Sequence, residues 1–167
     1  MSEHIAETGL SEGREYLTFL LADEEYAVEI LRVEEIRVWS PVTRLPNSPK
    51  YVKGVLNLRG AIIPIIDLRT RFGLPTSEYG PTTVVIVVKV MSGEKERVMG
   101  IVVDAVMETY RILESQVLPP PKVHGQVDTE FLRGLATMDE RMIVILDVDH
   151  VMNSGELAIV EMQGAEA

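Results

Sequence analysis

The sequence predicts a mainly β protein built as two copies of one small barrel, with a few short helices and a C-terminal helix. Three observations carry that prediction. A shift of eighty residues lays Gly54 on Gly134, Ile63 on Ile143, Ile65 on Ile145 and Asp67 on Asp147 without a gap. That period is far too long for a solenoid and fits duplication of a small fold. Val, Ile and Leu do the packing, since aromatics make up only 5% of a chain that is 46% hydrophobic. Last, Gly54 to Arg69 reads as two β-prone arms around a tight corner. In the first arm Leu56 and Leu58 alternate with Val55, Asn57 and Arg59. The second, Ala61 to Leu68, is nearly continuous apolar sequence, as in a strand buried on both faces. Arg59-Gly60 is the joint, where glycine tolerates turn geometry.

The elements follow in chain order, with residues 1–14 expected as a tail, a first repeat at about 15–73 and a second at about 83–152. Tyr16 to Leu21 predicts a strand, Ala22 to Glu25 a turn, and Tyr26 to Glu29 the returning strand. Ile30, Val33 and Ile36 recur at helical spacing with Glu34, Glu35 and Arg37 among them, which predicts a short amphipathic helix from Ile30 to Val38. Trp39-Ser40-Pro41 ends it. Val42 to Leu45 is a short extended piece, and Ser48-Pro49 has the cap and first-position pattern of a helical turn through Val52. After the hairpin, Arg69 to Phe72 makes a last helical turn. Leu74 to Pro81, rich in Pro, Gly, Ser and Thr, links the copies.

The second copy opens with a strand over Thr83 to Met91. A hairpin loop over Ser92 to Glu96 and a return strand over Arg97 to Val106 follow. Met107 to Ile112 continues as another strand, Glu114 to Val117 is a turn, and Pro119-Pro120-Pro121 stiffens an exposed loop to about Gln126. Thr129 to Arg133 repeats the short helix and Leu135 to Leu146 the hairpin. Asp147 to Met152 predicts a helix, as do residues 154–162, with Ser154 as cap and 163–167 as tail.

Composition excludes several functions. The formal net charge is −10, and no cluster of Lys and Arg is dense enough to follow a phosphate backbone, so nucleic acid is not an expected partner. The chain has no cysteine, which removes disulfides and thiol chemistry and fits a reducing compartment. No stretch approaches the ~20 apolar residues of a membrane span, and the N-terminus lacks a signal-peptide core. A cytoplasmic location without membrane insertion is expected.

The search for chemistry finds no nucleophile elbow, phosphate loop or dinucleotide fingerprint. His4, His124 and His150 share no spacing. Asp147-x-Asp149-His150 and Asp23-Glu24-Glu25 invite a metal reading, but helix capping and a solvated turn explain them more simply. No enzyme activity, cofactor or metal is expected. The two copies differ at the corner: Asn57, Arg59 and Gly60 become Thr137, Asp139 and Glu140. A duplicated scaffold keeps its core, whereas a site is needed only once. Asn57 and Arg59 are therefore candidates for recognition.

The run Gly54-Val-Leu-Asn57-Leu-Arg59-Gly60-x-x-x-Pro64-x-x-Asp67-Leu68-Arg69 resembles the signature of the CheW family of bacterial chemotaxis coupling proteins. The likeness extends from about Glu15 to Glu161 and includes Tyr16 to Ile30, Val84 to Val87 and Gly100 to Asp104. It implies two five-stranded SH3-like barrels packed together, and a non-catalytic adaptor joining chemoreceptor tips to the regulatory domain of the histidine kinase CheA. It also implies a receptor-facing groove between the barrels with Glu35, Asn57, Arg59, Val84, Val103 and Val106. A kinase-facing surface on the first barrel would lie around Leu17, Ile30 and Val33. Two other readings stand beside this one: a scaffold of a different chemosensory or motility array, and a small barrel enzyme or ligand-binding protein.

Overall fold

The computed structural model describes residues 13–120 and 129–153. Their strands are β1 (Gly13–Leu21), β2 (Glu24–Glu29), β3 (Val33–Val38), β4 (Val52–Leu58) and β5 (Ala61–Asp67) from the first copy. The second copy supplies β6 (Val84–Ser92), β7 (Lys95–Val103), β8 (Ala105–Leu113), β9 (Leu132–Met138) and β10 (Arg141–Leu146). Two short helices, α1 (Leu68–Arg71) and α2 (Val148–Asn153), follow β5 and β10.

These strands make two five-stranded sheets, but the copies are interleaved. One sheet runs β8-β1-β2-β10-β9 and the other β3-β6-β7-β5-β4. Each copy thus gives its first hairpin to one sheet and its last three strands to the other. In each sheet a single parallel pair, β2 with β10 or β7 with β5, joins strands from different copies. Each sheet curls until its outer ends meet at one bridge, Leu118 with Leu135 or Thr43 with Val55. A glycine allows each closure. A Cβ on Gly54 would lie 2.1 Å from the Thr43 carbonyl oxygen, and one on Gly134 would lie 2.6 Å from that of Leu118. The matched glycines of the repeat are the seams of the two barrels.

Three apolar clusters hold the structure. Tyr16, Ala27, Ile112, Ala136, Ile143 and Ile145 fill one barrel, and Leu58, Ile63, Ile65, Val85, Val87 and Val102 fill the other. The third and largest lies between the sheets, with Phe19, Val28, Ile66, Ile86, Ile101 and Met152 among its members. Hydrophobic burial is therefore greatest where the two sheets meet, and residues of both copies contribute to it.

The chain crosses between the sheets twice, and a bidentate ion pair marks each crossing. Arg32 lies in the 3-10 turn Ile30–Arg32 between β2 and β3 and donates twice to Asp149 of α2, at 2.8 Å each. Asp104, between β7 and β8, accepts from Arg69 of α1 at 2.9 and 2.6 Å. Asp104 also accepts from the Ala22 amide at 2.9 Å. Burial opposes ionisation of Asp104, but the Arg69 and Ala22 hydrogen bonds overcome it and hold its carboxyl below the ordinary carboxylate range.

Several expectations need correction. Ile30 to Val38 is not a helix: only Ile30–Arg32 turns, and Val33–Val38 is a strand paired with β6. The β-branched Val33, Ile36 and Val38 and an available sheet edge outweigh the helical spacing. Ala61 and Ile62 are exposed, so β5 is buried on both faces only from Ile65 onward. The Ser48 hydroxyl donates to the Leu45 carbonyl at 2.9 Å rather than capping a helix, and one turn closes from Val52 to Pro49. The loop placed at Ser92 to Glu96 is tighter, because pairing continues to Ser92 with Lys95 around Gly93, whose φ is 66°. The strand placed at Arg97 to Val106 breaks at Asp104, where the chain changes sheets. β1 begins at Gly13, inside the expected tail. The helix expected over 154–162, the remaining tail residues, the loop from Pro121 to Gln126, and His4 and His124 lie outside the described residues.

Candidate functional site

The distinctive corner is the turn between β4 and β5. Leu58 pairs with Ala61, leaving Arg59 and Gly60 as a two-residue loop. Both have positive φ, 50° and 90°, the arrangement of the turn type that matches strand twist in tight hairpins. Asn57 stabilises it, its Oδ1 accepting from the Gly60 amide at 2.9 Å. Asn57 is thus a builder of the corner, and Arg59 is what the corner displays.

Arg59 reaches β3, where its Nη1 donates to Glu35 Oε2 at 3.3 Å, while Arg37 donates to Glu35 Oε1 at 3.2 Å. The Arg37 hydrogen bond keeps the Glu35 carboxyl below its usual range; burial opposes it, and the Arg59 hydrogen bond adds a lesser push downward. The Arg59 side chain remains 71% exposed. Its single long bond leaves most of the guanidinium fork free for a partner. Ile62, directly across from Asn57, is 62% exposed, so an apolar patch adjoins the cation.

The expected receptor-facing residues fall into two groups. Glu35, Asn57 and Arg59 sit together at the corner. Val103 is buried in the large cluster between the sheets, and Val84 and Val106 are half-buried against that cluster. Val84 pairs with Val103 and Val38, and Val106 with Phe19. The expected kinase-facing residues do not share a barrel. Leu17 is on β1 and Val33 on β3, in different sheets, because the copies exchange strands. Leu17 is buried within the large cluster, while Ile30 and Val33 are half-buried at its edge.

Other exposed residues escaped the sequence reading. Leu31, Ile36 and Val38 are 80%, 44% and 75% exposed along the crossing and β3. Read as a helix, Ile36 pointed to a core; read as a strand, Ile36 and Val38 share one face two residues apart. That alternation was available in the sequence.

Among the described residues no group of three or more His, Cys, Asp and Glu could hold a metal. Asp67 and Asp147 instead cap α1 and α2, accepting from the Thr70 and His150 amides at 3.1 Å. Tyr79 donates to Asp67, pinning the linker, and burial followed by that hydrogen bond raises the Tyr79 hydroxyl pKa. No helix among the described residues is long and apolar enough to cross a membrane.

Residues 15–156 match the family model described as CheW-like domain. A chemotaxis protein CheW of Klebsiella aerogenes is 42% identical over 153 residues, covering 92% of this chain and 90% of the relative. One from Rhizobium meliloti is 39% identical over 86% of this chain and 90% of its own length. The crystal structure of scaffolding protein TtCheW from Thermoanaerobacter tengcongensis superposes with a TM-score of 0.78 at 34% identity. It covers 86% of this chain and 94% of that one.

Proposed function

The chain belongs to the CheW family of chemotaxis coupling proteins, and we propose that it binds chemoreceptor tips and the histidine kinase CheA at the same time. The work is non-catalytic. Joint binding raises the effective concentration of kinase at receptors and sets its orientation. A difference of ~1–3 kcal/mol in affinity for two receptor states is enough to bias the kinase. The site of action is the cytoplasmic side of receptor clusters.

The observation that carries this reading is the Arg59 corner: a fixed turn that presents a largely free guanidinium beside exposed Ile62, in only one of two otherwise matched hairpins. Arginine in such a setting favours an interface hot spot. Receptor contact is assigned to Glu35, Asn57 and Arg59 and to the half-buried Val84 and Val106, with Val103 supporting them from the core. Kinase contact is assigned to the crossing and edge strand around Ile30 and Val33. Leu17 supports that surface from behind.

The test is a binding assay with purified CheA and a receptor cytoplasmic fragment, separately and together. Binding to each, with kinase activation only in the ternary mixture, is the expected result. Arg59→Ala should lose receptor binding while keeping its melting temperature and its affinity for CheA. Equal loss of both partners together with a lowered melting temperature would overturn the assignment of Arg59.

A further inference from the structure

Away from the Arg59 corner, the sheet containing β1 and β8 carries an open groove of about 470 Å³ in which Leu20, Met107 and Met142 face Asp23, Glu24 and Glu25. We propose that this groove is a second docking surface, for a partner segment that presents an apolar side chain flanked by lysine or arginine.

The fold does not require apolar residues here. By strand register Leu20 corresponds to Lys89 and Met107 to Glu34, since Phe19 pairs with Val106 as Val88 pairs with Val33. In the other sheet those two positions hold an ion pair, Lys89 with Glu34 at 4.0 Å. The same backbone therefore accepts a solvated charged pair where this sheet exposes methionine. Met107 is 41% and Met142 61% exposed. Two neighbouring exposed methionines form an adaptable apolar lining that repacks around different side chains.

The charge of the rim selects the partner. Asp23 and Glu24 are exposed at one wall, and Glu25 is buried behind them. Glu25 Oε1 lies 3.4 Å from Arg141, but Oε2 makes no hydrogen bond. Arg141 is already engaged by Glu108 at 2.6 Å. Three carboxylates against one committed cation leave the groove acidic, and a flexible methionine can move aside to admit a cationic side chain toward Glu25. Apolar lining with an acidic rim is the complement of a basic amphipathic helix.

The probe is a synthetic amphipathic helix of leucine and lysine, titrated into the full chain carrying methyl-labelled methionine and followed by NMR. A leucine–glutamate helix of equal length is the control. The Met107 and Met142 methyl signals should shift saturably with the first peptide and stay still with the second. Met107→Gln with Met142→Gln should weaken binding at least tenfold. Because nonspecific attraction to a chain of net charge −10 would survive that change, unchanged affinity overturns the proposal. If the glutamine pair fails to fold, the exposed Asp23→Asn and Glu24→Gln should weaken binding several-fold and flatten its salt dependence. Stationary methionine signals, or signals that move with protein concentration alone, also overturn it.

Discussion

The two hairpin corners are the same structure put to different uses. Each is a two-residue turn with positive φ at both positions, Arg59 and Gly60 in one, Asp139 and Glu140 in the other. Each faces a glutamate at the same strand position, Glu35 on β3 and Glu108 on β8, as the matching registers require. The cations differ. Arg141 of the second corner contacts Glu108, Tyr110 and Glu25. The Tyr110 hydroxyl donates to Glu108 and lies 3.1 Å from Asp139 Oδ2, and its pKa is pushed up to about 12, chiefly by the bond to Glu108. That corner commits its cation to groups of its own. The first spends one long bond on Glu35 and leaves Arg59 open. Duplication conserved the carboxylate and the turn; what diverged is whether the cation has capacity left for something outside the molecule.

The comparison rests on two copies that cannot be pulled apart, and the most forceful way to break it is to cut between them. A protease site inserted between Thr76 and Ser77 should give a cleaved protein that stays one particle, since each sheet draws strands from both copies. Size-exclusion chromatography should show a single peak in buffer and two fragments in urea. Each isolated fragment should lack cooperative unfolding, because the largest core lies between the sheets. Fragments that separate in buffer and melt on their own would mean two independent barrels.

The barrel seams offer a graded version. Gly54→Ala puts a Cβ 2.1 Å from a backbone oxygen at a φ of 152°, whereas the contact at Gly134 is 2.6 Å without a positive φ. Overpacking against backbone costs ~1–3 kcal/mol or more. Gly54→Ala is expected at or above the top of that range and Gly134→Ala below it, both read from urea unfolding. Reversal of the order would show that the second seam is the stiffer.

The crossings come next. Arg69→Ala should cost about 2 kcal/mol, since it strands the partly buried Asp104 carboxylate, with some of the loss softened by solvent. Arg69 and Asp149 occupy the same place under the eighty-residue shift, yet the bridges have opposite polarity. The exchange Arg69→Asp with Asp104→Arg should therefore recover part of the loss. The pH dependence follows from the depressed Asp104 pKa. Its contribution is complete above the unfolded carboxylate value of ~4 and disappears as pH falls through the lower folded value. Asp104→Asn should flatten stability against pH in that acid window and nowhere near neutrality.

These interactions also show where a linear reading stops. The repeat was legible because burial keeps Ile63, Ile65, Ile143 and Ile145 apolar, and the hairpins because their turns are local. Strand exchange was not: a period in the sequence says that two segments fold alike, not whether they pair with themselves or with each other. For the same reason Leu17 and Val33 were expected on one barrel and lie in different sheets. The ion pairs at the crossings span 35 and 117 residues and have no local pattern. Arg59 was found because its corner is local and its asymmetry survives alignment. Glu35 was placed beside it by resemblance alone, and the 3.3 Å contact supplies the physical reason.

The smallest expected effect is the most informative about the corners. Arg141→Ala removes the partner of buried Glu25 and should lower the melting temperature by a few degrees, with receptor and CheA binding intact. Arg59→Ala removes one exposed contact and should shift it by about one degree or less, with receptor binding lost. The pair makes a cross: stability falls at the closed corner, recognition at the open one. If Arg141→Ala impairs receptor binding as much as Arg59→Ala does, the two corners act together. The asymmetry between free and committed cations would then not be what selects the partner.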